Sequence, residues 1–225
     1  MIANSYVCNM PVNVTTSKKI AESLLQIKAI KLQPEKPFTW ASGWKSPIYC
    51  DNRIALSYPK VRTYIRQELV TAIEETYGRP DVIAGVATAA IAQGALVAEA
   101  MGLPFVYVRA SAKDHGRENL IEGEISEGQT VVVIEDLIST GKSSLKAVEA
   151  LREAGCKVKG MISIFTYGFP LAENNFEKEQ CPLISLCDYS ILLEQAVESN
   201  YIKAKDLEVL NKWKVEPENW TGVIS

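Results

Sequence analysis

Three stretches of this chain bring together residue types that can do chemistry. The first, VVVIEDLISTGKSS (residues 131–144), is an apolar run that closes on Glu135 and Asp136. Leu137, Ile138, Ser139, Thr140, Gly141, Lys142 and Ser143 then lead into helical spacing at Leu145, Val148 and Leu151. A helix start built from small residues offers free backbone N–H groups, which suit a phosphate. Two carboxylates beside it would repel that phosphate, so they face something else, either sugar hydroxyls or Mg2+. A phosphorylated sugar satisfies both halves. If Ser139 and Thr140 served only to cap the helix, the acid pair at the end of an apolar strand would have no explanation. The GKS at 141–143 invites a nucleotide-triphosphatase reading, but GxxxxGK[ST] requires glycine where Asp136 stands.

The second stretch, RASAKDHGRENLIEG (residues 109–123), gathers Arg109, Lys113, Asp114, His115 and Arg117 in a polar segment between apolar runs. The bland reading is a solvated loop, yet so long a loop inside an α/β core is unusual without a function. His115 is the one histidine in the chain, so any histidine chemistry is confined to it. The third stretch, VATAAIAQG (residues 86–94), offers only Thr88 and backbone N–H groups.

Those stretches need strands that end where the chemistry begins. Apolar runs at 82–86, 104–108, 130–136 and 156–165 alternate with helical patterns, as parallel strands covered on both faces do. They predict a βαβαβ core over about Asp81 to Phe165, within an α/β fold whose parallel sheet is flanked by helices. Helices are expected at about Ser17–Leu32 and Tyr58–Tyr77 before it, and near Tyr189–Glu198 and Ala204–Trp213 after it. The chain divides into an N-terminal hood (1–80), the core (81–170) with its long polar loop (109–123), and a C-terminal helical extension (171–225), forming one structural domain.

Composition narrows the classes. The 225 residues are 47% hydrophobic and 23% charged, which is globular rather than disordered. Lys and Arg number 24 against 27 Asp and Glu, a net charge of −3, without the basic excess of a nucleic-acid binder. The longest uncharged stretch, Val82–Ala98, is short of a membrane span and interrupted by polar residues and glycines. Five cysteines without a CxxC pair, and an N-terminus without a basic-then-apolar pattern, fit a reducing cytoplasm.

With these residues in view, the chain is identified as a member of the type I phosphoribosyltransferases. The strand, acid pair and TG-containing loop of 131–144 resemble that family's phosphoribosyl-pyrophosphate (PRPP) motif. KDHG at Lys113–Gly116 resembles the hallmark of the orotate phosphoribosyltransferase loop, and FTWASGWKSPIYCDNR (residues 38–53) that branch's N-terminal substrate segment. The likeness implies transfer of ribose 5-phosphate from PRPP to N1 of orotate, giving orotidine 5′-monophosphate and pyrophosphate in pyrimidine (UMP) biosynthesis. It implies catalytic roles for Arg109, Lys113, Asp114 and His115, the first, second and fourth also contacting PRPP. Glu135 and Asp136 would hold the ribose hydroxyls, and the backbone from Leu137 to Ser143 the 5′-phosphate. Mg2+ would be bound mainly through PRPP rather than by protein ligands, and the partner would be a second copy of the chain, exchanging loops in a homodimer.

The chain departs from the family pattern in three places. Ala89 and Ala90 stand where relatives often have lysine after the first strand, Ala41 where many have lysine before SG, and Tyr167 at or near an arginine that grips the orotate carboxylate. Arg53 or Lys45 are the candidates to replace that grip, with Ser139 touching orotate and Tyr49 stacking on it. The alternatives are a phosphoribosyltransferase for another base and a non-catalytic PRPP-binding regulator. The latter predicts a degraded loop and an added basic domain, neither of which this sequence has.

Overall fold

The computed structural model describes residues 8–11, 13–40, 42–110 and 120–222. Lys113, Asp114, His115, Arg117 and Ala41 lie outside the described residues.

The chain opens with β1 (Cys8–Pro11) and α1 (Val14–Gln26), then forms short hood strands β2 (Ile30–Leu32), β3 (Phe38–Thr39), β4 (Lys45–Ser46) and β5 (Ile48–Cys50). The predicted helix over 17–32 is thus cut short. Lys28 adopts φ 58°, and Ile30 and Leu32 then alternate inward to pair antiparallel with β5. Apolar residues at both 24–25 and 30–32 satisfied a helical spacing, but a left-handed residue between them breaks it.

A 3-10 turn (Asn52–Ser57) leads to α2 (Pro59–Tyr77), with proline at its first turn where no N–H is needed. Then follow β6 (Val82–Val86), α3 (Ile91–Met101), β7 (Phe105–Val108), β8 (Ile121–Glu122), β9 (Thr130–Ile138), α4 (Lys142–Glu153) and β10 (Lys157–Thr166). The last elements are α5 (Pro170–Lys178), β11 (Leu183–Asp188), α6 (Tyr189–Glu198) and α7 (Leu207–Val215). The helix at Tyr189–Glu198 matches its expected bounds, and Asp188 caps it by accepting from the Ile191 N–H at 2.9 Å.

Seven strands form one sheet in the order β1-β11-β10-β9-β6-β7-β8, parallel except for β8. Strands β1 and β11 and the helix α5 were not anticipated. LISLC in β11 is a buried run that periodicity alone does not separate from helix. The core is continuous: Val131 to Ile134 are 0% exposed, as a central strand covered on both faces must be. Helix α2 lies close on β10, where a Cβ at Gly160 would meet the Tyr77 ring at 2.5 Å.

The strand order decides where a ligand goes. From β6 the chain moves outward to β7, and from β9 it moves the other way to β10. The right-handed crossover preference puts α3 and α4 on opposite faces, which leaves a crevice between β6 and β9 at their carboxyl ends.

Candidate active site

A cavity of about 320 Å³ lies at that switch point, bounded by Thr88, Arg109, Glu135, Asp136, Ser143 and Lys146 among others. The Ala87–Thr88 peptide on its β6 side is cis.

Glu135 is 5% exposed yet has no cationic partner among the described residues. Its Oε2 accepts from Ser144 Oγ at 2.7 Å, and its Oε1 from the Asp136 N–H at 2.9 Å. Burial, and then the neighbouring Asp136 charge, push its carboxyl up to about 8. Burial also raises Asp136, against the opposing pull of the Glu135 hydrogen bond and Arg53. A doubly ionised pair is therefore disfavoured until donors or a cation arrive.

The loop after β9 is shorter than the sequence suggests. Leu137 and Ile138 still belong to the strand, opposite Phe165 and Thr166 of β10, so Ser139–Gly141 make the turn. Gly141 is the N-cap residue of α4 at φ 75°, and no side chain caps the helix. The capping role considered for Ser139 and Thr140 is thus not filled, and the first-turn N–H groups keep their capacity for an anion. Helix α5 holds this turn, because Asn175 Nδ2 donates to the Thr140 carbonyl at 2.8 Å. A Cβ at Gly141 would meet Phe176 at 2.5 Å, so only glycine fits both the backbone and the space.

Arg109 leaves β7 beside the cavity, its N–H donating to the Leu120 carbonyl at 2.8 Å. Its guanidinium lies 3.6 Å from Glu122, and its buried Nη1 makes no hydrogen bond among the described residues. Pairing of β8 with β7 clamps the two ends of the 109–120 segment together.

Residues 57–177 match the phosphoribosyl transferase domain family. The chain is 60% identical over 206 residues to an orotate phosphoribosyltransferase of Porphyromonas gingivalis, covering 92% of this chain and 98% of that one. The chain belongs to the orotate phosphoribosyltransferases. A Listeria monocytogenes orotate phosphoribosyltransferase is 54% identical over 92% of this chain and 99% of its own length. Among solved structures, the orotate phosphoribosyltransferase of Aeropyrum pernix superposes with a TM-score of 0.72 at 26% identity, covering 81% of this chain and 99% of that one.

For an orotate phosphoribosyltransferase, the residues expected on the base side are arranged unevenly. Arg53 forms a two-pronged ion pair with Asp51, Nε to Oδ1 at 2.7 Å and Nη2 to Oδ2 at 2.9 Å, which holds Asp51 below the usual carboxylate range. Arg53 remains in electrostatic reach of Asp136 and Tyr49, so this part of the hood borders the acid pair. Tyr49 is 40% exposed, with Phe38 at 5.6 Å between ring centres. Lys45 Nζ donates to Thr39 Oγ1 at 2.7 Å. Ser139 is half-buried in the turn after β9.

Tyr167 follows β10 as a buried ring. It packs with Trp40 at 5.2 Å, Phe169 at 5.3 Å and Trp213 at 5.5 Å. Trp213, fully buried, also donates from Nε1 to the Lys45 carbonyl at 3.2 Å, so α7 docks on the hood. An orotate phosphoribosyltransferase with this ring at Tyr167 has no guanidinium there. The sequence reading missed Ser144, Lys146 and Asn52. Ser144 closes the motif and Lys146 lies two residues beyond it in α4, whereas Asn52 gave no local signal.

Proposed function

We propose that the crevice between β6 and β9 is where this chain transfers ribose 5-phosphate from PRPP to N1 of orotate. The C1–pyrophosphate bond breaks, the C1–N1 bond forms, and orotidine 5′-monophosphate and pyrophosphate leave, as a step of pyrimidine biosynthesis. The observation that carries this placement is a buried acid pair beside an uncapped helix start. Ribose hydroxyls donating to Glu135 and Asp136 relieve a pair that burial disfavours, and the N–H groups of Ser139–Ser143 receive the 5′-phosphate.

Positive charge develops at C1 and negative charge on the departing pyrophosphate, so donors must be aimed at the leaving group in a site closed to water. Arg109 supplies one, its Nη1 beside the cavity, in ion-pair range of Glu122 and without a hydrogen bond among the described residues. Lys113 and His115 supply two more from the same loop, with Asp114 between them. Thr88 and the N–H groups of the 86–90 turn serve where lysine is missing. Ser139, Tyr49 and either Arg53 or Lys45 meet orotate.

Mg2+ would take most of its oxygens from PRPP, as a hard cation that keeps its waters does, with Glu135 and Asp136 bordering the same cavity. When bound it offsets the charge of the pyrophosphate. The working unit is a homodimer whose loops serve each other's sites, in the cytoplasm. In support of this location, no helix among the described residues is long and apolar enough to cross a membrane.

The test is loss of orotate absorbance on mixing protein with PRPP and Mg2+, with uracil and the purine bases in parallel. Consumption that requires PRPP is the expected result, abolished by Asp136→Asn together with Glu135→Gln. Reaction of another base with orotate inert would overturn the base assignment.

A further inference from the structure

Strand β9 overshoots one of its neighbours. It pairs with β6 only as far as Ile134 opposite Gly85, whereas pairing with β10 runs on to Ile138 opposite Thr166. From Glu135 onward one edge of β9 has no strand paired with it, and this is the stretch that bears the acid pair. A backbone carbonyl buried there without a partner is costly.

The Asp136 carbonyl has a partner from far away in the chain. Asn52 Nδ2 donates to it at 2.7 Å, across 84 residues. Asn52 is 2% exposed and sits at the start of the 3-10 turn that joins the hood to α2. Its amide is oriented from behind, because the Cys50 thiol donates to Oδ1 at 3.4 Å. Turning the amide over would set an oxygen against the Asp136 carbonyl and strand the thiol, so one orientation is selected. The peptide that Asn52 holds also matters to Glu135, whose Oε1 accepts from the Asp136 N–H.

We propose that Asn52 is a positioning residue for PRPP binding, which stands in for the missing neighbour strand and fixes the pleat of β9 at Asp136. The inference rests on the reading that Asp136 holds the ribose hydroxyls. By gripping the main chain, Asn52 aims the Asp136 carboxylate and, through the Asp136 N–H, that of Glu135. The hood is thereby fastened to the ribose site and not only to the base.

The experiment is a double-mutant cycle on the full-length protein, reading PRPP affinity by calorimetry and the Michaelis constants of both substrates. Asn52→Ala is expected to weaken PRPP about tenfold, with a much smaller change in the Michaelis constant for orotate. In an Asp136→Asn background the same Asn52→Ala change should weaken PRPP clearly less than about tenfold, because the part of its effect that passes through the Asp136 carboxylate is gone and only the part through Glu135 remains. Asn52→Asp keeps the shape and replaces the donor by an acceptor, so it should weaken PRPP more than Asn52→Ala, and it serves the test if Asn52→Ala fails to fold. Equal losses in both backgrounds, or no loss in the parent chain, would overturn the proposal while leaving the ribose role of Asp136 intact. Unchanged PRPP affinity in Asp136→Asn alone would overturn that role and the proposal with it.

Discussion

The acid-pair end of the crevice and the aromatic cluster that docks α7 on the hood are built on opposite plans. The phosphate end is polar and assembled from neighbours in sequence: Glu135, Asp136, Ser144 and the 139–141 turn lie within ten residues, and Glu135 accepts from both Ser144 and the Asp136 N–H. The wall beside the hood is apolar and assembled from distant segments, with Trp40, Tyr167, Phe169, Tyr189 and Trp213 meeting at centroid distances of 5.2 to 6.4 Å. The first arrangement handles charge, which demands fixed short hydrogen bonds. The second provides shape, which many rings can provide jointly. Damage to the first end should therefore appear in chemistry and PRPP affinity, and damage to the second in stability and orotate affinity.

The largest expected effect is at the charged end. Lys113→Ala should lower kcat by about 10³-fold or more while PRPP affinity changes far less, because the lysine acts on charge that appears in the transition state. Single-turnover rates and PRPP titration check this, and an unchanged kcat would remove Lys113 from the reaction.

Next comes the aromatic wall. Trp213→Ala should cost about 3–5 kcal/mol of stability, as loss of a fully buried large ring does, read as a fall in Tm. Where the variant still folds, its Michaelis constant for orotate should rise more than that for PRPP. A larger rise for PRPP would break the division between the two ends.

Glu135→Gln sharpens the comparison through pH. A carboxyl raised in the folded chain keeps its proton where the unfolded chain has lost it, so stability falls as pH climbs from the ordinary carboxylate range to about 8. Removing the charge should flatten that decline by roughly 1 kcal/mol or more while weakening PRPP binding. Melting curves from pH 5 to 8.5 for both proteins would show it, and parallel curves would mean Glu135 is not the group responsible.

The smallest effect belongs to Arg53→Ala. Its ion pair with Asp51 lies at the surface, the Arg53 side chain being 60% exposed, so stability should change by less than about 1 kcal/mol. A several-fold rise in the Michaelis constant for orotate, with that for PRPP unchanged, is the expected outcome. No rise would leave the carboxylate to Lys45.

What could be read in advance follows the same division. The acid pair, the turn after it and the strands at 82–86 and 105–108 were legible because each is specified by contiguous residues with one period or one motif. The 17–32 helix was overextended because Lys28 breaks a spacing that Leu24, Leu25, Ile30 and Leu32 otherwise continue. Asn52 was invisible because its partner is a backbone carbonyl, which any residue at position 136 would present. The fate of Trp213 was equally unreadable, since a tryptophan on a helix near the end of a chain is compatible with many docking partners. Tyr167 was noticed only for the residue it displaces, and its environment became clear from ring contacts spread over 173 residues, from Trp40 to Trp213.

The Trp213–Lys45 hydrogen bond spans 168 residues and closes the molecule almost end to end. During synthesis, the phosphate turn and its flanking strands can leave the ribosome and pair long before α7 exists. The wall beside the hood cannot be completed until α7 has emerged, because Trp213 packs on Trp40, Tyr167 and Phe169, which are made earlier. A nascent chain would thus form the strands and turn that carry the acid pair before α7 can dock on the hood.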